Sequence, residues 1–259
     1  MKRIIQTLQY ANIALAFCWA IYLLSSCQNE QGDLAPNSNA QNGQGGSLAT
    51  FTVVNNHLYT VGNESLSVFD ISTPTTPQPG QRIQLDWGVE TIFPFQDKLL
   101  IGSTTGVYAY DISQPANPQL LDRLQHLTRC DPVVAQGNYA YVTLRGGGAC
   151  GGASNQLDVI DISDIRNLRL KRSYTLQGPY GLGVDGDLLF VCDGHAGLKI
   201  FDNSDPVNLK QINEFSNINA YDVIPLNGLL LLIGEDGLFQ YRYNNNEMAL
   251  VSSIPVVTQ

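Results

Sequence analysis

Short runs of alternating apolar and polar residues follow one another along most of the chain, and turn-forming residues separate them. A clear example is the segment 106–124, in which Val107–Tyr110 leads into Asp111 and a further β run begins after Pro115 and Pro118. Alternation with a period of two, bounded by Asp and Pro, is typical of β-strands joined by a turn. The pattern of hydrophobic positions therefore predicts an all-β fold.

The strand that ends in an acidic residue recurs along the chain at a nearly constant spacing. The copies read LSVFDIS, VYAYDIS, LDVIDIS and LKIFDNS, and their closing residues are Asp70, Asp111, Asp161 and Asp202. A degenerate fifth copy, LFQYRYN, has Arg242 in that position. The spacing is about 41 residues, except for about 50 before Asp161, and a period near 40 is typical of a β-propeller blade. The sequence thus predicts a five-bladed propeller at residues 48–259.

Each unit divides into four short strands. In the second unit they are predicted at Val89–Phe95, Lys98–Gly102, Val107–Asp111 and Gln119–Leu124. Gly, Asn and Asp at the first turn of most units, as in Asn55-Asn56 and Asp185-Gly186, indicate tight hairpins.

Both chain ends can complete their own blades, so the ring would close by packing and not by strand exchange. The first blade would begin with the strand 48–54, and the last would end with the strand 250–256. In the fifth unit, Leu229–Ile233 is apolar at every position, which predicts a strand buried on both faces. Blades that stack on their neighbours around a ring would provide that cover.

The repeated Asp-Ile-Ser turn has two possible roles. Repeated carboxylates could hold metal ions, but an Asp followed by Ser can also accept hydrogen bonds from the next backbone N–H groups. The second role closes the turn without a ligand, and we favour it.

The repeat resembles the LVIVD repeat family of bacterial extracytoplasmic, propeller-like proteins. The resemblance is carried by GNYAYV at 137–142, LDVIDIS at 157–163 and PANP at 115–118, and it covers roughly residues 51–259. It implies a propeller fold and says little about function. The fifth unit lacks both the Asp and the prolines, as a terminal capping unit often does.

Residues 1–26 have the pattern of a secretory signal peptide. Lys2 and Arg3 precede an uninterrupted apolar run at residues 13–24, which is short for a membrane span. The run ends in Leu24-Ser25-Ser26-Cys27, which resembles the cleavage box of bacterial lipoproteins. That resemblance implies lipidation of Cys27 and a lipid anchor at the cell envelope. A plain secreted protein is the alternative.

Residues 27–47 are rich in Asn, Gln and Gly and contain one large apolar residue, Leu34. Such a segment cannot bury a core, so we expect a flexible tether between the anchor and the propeller. The residue after Cys27 is Gln28 and not Asp. By resemblance to lipoprotein sorting signals, this favours location at the outer membrane, on its periplasmic or its surface side.

The net charge of the chain is −9, and the sequence lacks basic runs longer than Lys171-Arg172. Binding to nucleic acid needs clustered Lys and Arg, so this composition argues against a nucleic-acid partner. It also disfavours electrostatic adhesion to anionic lipid, which leaves the lipid anchor as the expected contact with the membrane.

The third unit carries a glycine-rich insertion between Arg145 and Asn155. In a propeller, the connection into a blade's first strand and the loop between its second and third strands lie on one face. This places Cys130 and Cys150 together, so we predict that they form a disulfide in an oxidising compartment. Peptide mapping of exported protein would reveal both thiols free if the prediction is wrong. Cys192 reads as a small buried apolar residue.

The same face collects the candidate binding residues. Aromatic side chains beside a few charges suit recognition of a sugar, a peptide or a protein. The candidates are Trp87, Arg129, Asp131, Arg145, Tyr180, His195, Tyr221 and Asp222. For Tyr180 and Tyr221, packing between blades is an equally good explanation.

These observations favour a binding or scaffolding module for an envelope protein or a glycan. One alternative is a glycan-cleaving enzyme with Asp131, Asp222 and Glu235 at the channel mouth. The other is a structural envelope protein. Catalytic motifs are absent from the sequence, and His57, His126 and His195 are not clustered, so no cofactor or metal is expected.

Overall fold

In the computed structural model, the described residues are 45–125, 132–146, 154–244 and 247–256. They form five four-stranded antiparallel sheets, and in each sheet the strands lie side by side in chain order. This arrangement confirms the predicted five-bladed, all-β fold. The first and last sheets are each built from consecutive strands, so the described strands show no exchange between the two ends of the chain.

Each blade consists of four consecutive strands. Blade 1 contains β1 (Phe51–Val54), β2 (His57–Gly62), β3 (Ser65–Asp70) and β4 (Gln78–Gln84). Blade 2 contains β5 (Val89–Phe95), β6 (Lys98–Ser103), β7 (Gly106–Asp111) and β8 (Gln119–Gln125). Blade 3 contains β9 (Val133–Gln136), β10 (Tyr139–Leu144), β11 (Gln156–Asp161) and β12 (Arg169–Thr175). Blade 4 contains β13 (Leu182–Asp185), β14 (Leu188–Cys192), β15 (Leu198–Asp202) and β16 (Lys210–Phe215), and blade 5 contains β17 (Ala220–Leu226), β18 (Leu229–Gly234), β19 (Gly237–Tyr243) and β20 (Met248–Pro255).

The first hairpin of most blades has the turn chemistry that the sequence indicates, and in blade 2 the positive φ falls on Gln96. Asn55 and Asn56 both have positive φ, at 49° and 59°, and Gly186 has a φ of 56°. Tight two-residue hairpins need this left-handed conformation, which Asn and Gly adopt at low cost. The predicted hairpins are therefore confirmed.

The Asp-Ile-Ser turns are structural. Asp70 Oδ1 accepts a hydrogen bond from the backbone N–H of Ser72 at 2.8 Å, and the other three copies make the same bond. In all four turns, the hydrogen bonds from the Ser side chain and backbone hold the pKa of the Asp carboxyl below its usual value. Within the described ranges, no group of three or more His, Cys, Asp or Glu is placed to hold a metal ion.

Apolar clusters fill the spaces between consecutive blades. In the described chain, one cluster joins blades 1 and 2, another joins blades 2 and 3, and the remaining two join blades 3 and 4 and blades 4 and 5. The second strands of the middle blades are consequently buried on both faces. Cys192 lies in the cluster of blades 4 and 5, as expected for a small buried residue, and burial raises the pKa of its thiol.

The seam between blades 5 and 1 differs from the others, because no apolar cluster of the described residues spans it. The prediction that Leu229–Ile233 is buried on both faces is therefore wrong. Leu230 and Leu232 are fully buried against blade 4, whereas Ile233 is 47% exposed. The strand has two apolar faces, and only one of them is covered.

Residues 46–49, which we call the clasp, bind across the channel. The Ser47 hydroxyl donates to Asp222 Oδ1 in blade 5 at 3.0 Å and accepts from Leu182 N in blade 4 at 2.8 Å. The Ala49 carbonyl accepts from Ile92 N in blade 2 at 2.8 Å. The predicted tether includes residues up to 47, but Ser47 is buried and hydrogen-bonded to two blades.

The central channel contains a cavity of about 210 Å³. Its walls are the clasp and the first strands of blades 2 to 5, through Gly45, Gly46, Ser47, Phe93, Val134, Ala135, Leu182, Gly183, Val184, Val223, Ile224 and Pro225. Hydrogen bonds from the clasp thus join blades 2, 4 and 5 around the channel. None of the described residues belongs to a helix with the length and apolar character of a membrane span.

Candidate binding site

Three candidate residues from different blades meet on one face of the propeller. Arg145 follows β10, Tyr180 precedes β13, and Tyr221 lies in β17. The guanidinium carbon of Arg145 lies 4.0 Å from the centre of the Tyr180 ring, and the Tyr180 and Tyr221 ring centres are 5.2 Å apart. An Arg at this distance from an aromatic face makes a cation–π contact. The three side chains form a stack that links blades 3, 4 and 5.

A pocket of about 350 Å³ lies beside this stack. Its lining is Arg145, Gly146, Asn155, Gln177, Gly178, Tyr180, Asp193, Gly194, His195 and Ala196, and we call it the mouth pocket. His195 and Gln177 are exposed there, while Tyr180 and Arg145 are partly buried. The lining therefore presents an aromatic surface next to an imidazole, a guanidinium and an amide.

Asp193 holds the base of the mouth pocket in place. Its carboxylate accepts hydrogen bonds from the backbone N–H groups of Gln177 and Gly178 at 3.0 and 2.7 Å. It also pairs with Lys199 Nζ at 2.6 Å, and the two side chains are 0% and 9% exposed. A buried charge needs such a complete set of partners to offset its loss of hydration. Asp193 thus fixes the connection that carries Tyr180.

Asn155 ties the glycine-rich insertion to the same connection. Its Oδ1 accepts from the backbone N–H of Gly146 at 2.8 Å, and its Nδ2 donates to the Gln177 carbonyl. The Thr143 hydroxyl donates to the carbonyl of Tyr180, which joins β10 to the residue in the stack. Blade 3 therefore supports the pocket at both ends of the insertion.

Glu90 lies near the start of β5 and was not among the residues predicted from the sequence. The charge of Arg145 acts on its carboxyl group. Burial raises the pKa of its carboxyl above the usual value, and the positive charge of Arg145 opposes that rise. The face around the stack thus contains a half-buried carboxyl group as well as a guanidinium.

Trp87 and Asp222 lie apart from the lining of the mouth pocket. Trp87 is 58% exposed, and its carbonyl accepts from the Thr104 hydroxyl at 3.2 Å. Asp222 is buried, its Oδ1 accepts from Ser47, and its two oxygens lie against Gly181 and Gly46. Burial raises the pKa of Asp222 to about 6. Asp222 anchors the clasp through Ser47, and its burial favours this structural role over the expected binding role.

Several predicted residues lie outside the described part of the chain. They are Cys27 with the leader and most of the tether, the candidates Arg129 and Asp131, and the pair Cys130 and Cys150. The lipid anchor and the disulfide stay predictions.

The packing explanation for the two tyrosines is partly correct. Tyr180 packs against the apolar cluster of blades 4 and 5, and it also lines the mouth pocket. One ring can do both, because a half-buried aromatic residue fixed by its neighbours presents its remaining surface at a low entropic cost.

The fold is shared with solved structures of very different sequence. A functionally unknown protein from Desulfotomaculum acetoxidans superposes with a TM-score of 0.62 at 11% identity, over 83% of this chain and 69% of that one. Apo AztD from Citrobacter koseri gives 0.57 at 10% identity over 75% and 59%. A chain of a nidogen/laminin complex gives 0.55 at 12% identity over 78% and 77%. These similarities concern the fold alone.

The architecture defines a β-propeller built from sequence repeats. The LVIVD repeat model matches residues 45–79, 130–176 and 181–215, so the protein is a propeller that carries LVIVD repeats. A search of curated proteins gave no match. A repeat propeller of this kind suggests a binding or scaffold module.

Proposed function

We propose that this protein is a lipid-anchored binding module of the bacterial cell envelope, which holds a glycan or protein partner at the mouth pocket. The stack of Arg145 on Tyr180 beside that pocket is the observation that carries the proposal. Blades 3, 4 and 5 contribute to the stack, and hydrogen bonds to Asp193 and Asn155 hold the lining of the pocket in place. Preorganised aromatic and Arg side chains are the groups that dominate the binding energy of protein surfaces.

The chemistry of the pocket suits a polyhydroxylated or peptide ligand. A sugar ring or a peptide plane can lie against the exposed part of Tyr180, while Gln177 and His195 offer hydrogen bonds at the rim. The acidic balance of the chain supports the exclusion of nucleic acid. Catalysis is less well supported, because Asp222 is enclosed by the clasp and Glu235 is exposed and bonded to Asn219.

Replacement of Arg145 by alanine tests the binding function. The purified protein is screened against envelope glycans and against solubilised envelope proteins, and Arg145→Ala is expected to weaken binding of the resulting partner about tenfold or more, as loss of a central contact does. Arg172→Ala is the matched control, since Arg172 lies 5.8 Å from the Tyr174 ring, away from the pocket. Equal affinity of the two variants, or an absence of any partner, would contradict the proposal.

The anchoring part of the proposal depends on Cys27. Two or more acyl chains on this residue would hold the exported propeller at the membrane. In cells fed an alkyne fatty acid, the wild type is expected to be labelled and to fractionate with the outer membrane, while Cys27→Ser loses the label. A variant that is still labelled would place the lipid elsewhere, and an unlabelled wild type would show that the chain is simply secreted.

A further inference from the structure

The seam between blades 5 and 1 leaves an apolar face on each side. Blade 5 presents Leu229, Leu231, Ile233 and Leu238, and blade 1 presents Phe51, Val53, Leu58 and Phe69. All eight side chains are partly or fully exposed, and we call the two groups the seam faces. Such a surface is unusual on a soluble domain and normally marks an interaction site.

Comparison of equivalent positions shows how unusual these faces are. The hairpin registers place Leu231 at the position of Tyr59, Leu100, Tyr141 and Phe190 in the other blades. Those four side chains are fully buried, and each packs against the blade that follows in the chain. On the other side of the seam, Phe51 is 62% exposed. The repeat thus has the chemistry of an interior seam here without the partner blade.

The clasp lies against the blade 5 face at its channel end. Gly46 lies so close to Ile224 of blade 5 that an added Cβ would be 3.3 Å from its Cγ1. Ile224 pairs with Leu231 in the β17–β18 ladder, so the clasp covers the channel end of the blade 5 face. Further out on the same face, Leu231 is partly exposed and Ile233 is 47% exposed.

The predicted tether between Cys27 and the clasp does not have the composition to cover these faces. Residues 28–44 contain Leu34 as their single large apolar residue. An apolar face of several Leu and Ile side chains needs an apolar partner, because burying polar side chains against it would cost free energy.

We propose that a second copy of the chain covers the seam faces, in a head-to-tail dimer. Each blade has one face that packs on the preceding blade and one that packs on the following blade. At the four interior seams, these two kinds of face fit each other. The blade 5 seam face is of the second kind and the blade 1 seam face is of the first kind, and neither is covered. Blade 5 of one copy can therefore pack on blade 1 of another. Two such contacts close a twofold assembly in which both seams have the interior chemistry.

Single charge substitutions test the dimer. The full chain is purified in mild detergent, and its mass is measured by sedimentation equilibrium in density-matched detergent. We expect twice the mass of one chain for the wild type. Ile233→Asp and Phe51→Asp are each expected to raise the dimer dissociation constant about tenfold or more, because a carboxylate cannot be buried there without a partner. Leu170→Asp is the control, since Leu170 is 51% exposed on the outer strand of blade 3.

Mixing the two variants distinguishes a head-to-tail arrangement from a symmetric contact of like faces. Blade 5 of the Phe51→Asp chain and blade 1 of the Ile233→Asp chain are both unaltered, so the mixture regains one intact seam and forms a heterodimer. A lack of recovery on mixing would overturn the arrangement. A monomeric wild type would overturn the dimer, and if Ile233→Asp also lowers its melting temperature while Leu170→Asp does not, the faces close within one chain.

Discussion

Replacement of Asp193 by alanine is expected to lower the free energy of unfolding by about 3–5 kcal/mol, the usual effect of removing one partner of a buried ion pair. The substitution leaves the Lys199 ammonium, 9% exposed, without its carboxylate. It also leaves the backbone N–H groups of Gln177 and Gly178 without the acceptor that they share. Urea denaturation of the purified protein measures the loss.

Asp202→Ala in the same blade is the matched control for Asp193→Ala. Asp202 also accepts a backbone hydrogen bond, from Ser204 at 2.9 Å, but water can reach it and replace that bond. We expect a much smaller loss of stability for this variant. Comparable losses for the two substitutions would mean that burial of the Asp193–Lys199 pair is not what makes it important. Because Asp193 fixes the base of the mouth pocket, its variant should also weaken partner binding.

Replacement of Gly197 by alanine is expected to destabilise blade 4 by about 2–4 kcal/mol, from backbone strain and steric overlap together. Gly197 has a φ of 91°, and an added Cβ would overlap the Phe215 carbonyl oxygen and lie 2.7 Å from Ser216 Cα. The backbone of the outer strand cannot move away without breaking its pairing with β15. Denaturant titration at the wild-type pH and temperature measures the change.

Gly186→Ala is the control that separates the effect of backbone strain from the effect of steric overlap in the Gly197→Ala experiment. Gly186 also has a positive φ, of 56°, but a Cβ there would meet nothing within 4 Å. This control should therefore lose only the conformational term, about 1–2 kcal/mol. Equal effects at the two positions would show that the close approach of the outer strand to Gly197 is relieved by a small shift.

The strands were predictable because the same sequence signals for strands and turns recur in successive repeat units. The bounds expected for Val89–Phe95 are those observed, and the other three strands of blade 2 each differ by one residue at one end. Alternation, the acidic strand end and the Asn or Gly hairpin agree in each unit, and agreement among local signals makes such predictions reliable.

Part of the candidate site was also predictable, through topology. Arg145, Tyr180 and His195 come from a strand end and two loops that a propeller places on one face, and they line one pocket. Distances were out of reach, because a shared face does not determine which side chains touch. Trp87 is on a connection of the same kind and lies apart from the pocket.

The interactions that sequence reasoning missed are long-range or buried. Asp193 reads as an ordinary turn residue before Gly194, and its burial depends on Lys199 in the next strand. A signal was present, since Lys199 is a charge inside the otherwise apolar run LKIF, where a buried partner was to be expected. Ser47 gave no such signal, because it ends a polar segment that looks like a linker.

The seam was missed for a different physical reason. Leu229–Ile233 is apolar at successive positions, and burial on both faces is the usual meaning of that pattern. A sequence records the surfaces that need cover, but it does not say whether the same chain provides it. In the described chain, blade 1 leaves Leu231 and Ile233 partly or largely exposed.

The clasp also has a consequence for the order in which the chain acquires its structure. The two partners of Ser47 lie 135 and 175 residues further along the sequence. Contacts of such separation form late, and domains are synthesised from the N-terminus at about 5–20 residues per second. Synthesis of the 175 residues from Ser47 to Asp222 takes roughly 9–35 s at that rate, so the clasp completes its hydrogen bonds only after the strands of blades 1 to 4 have been made.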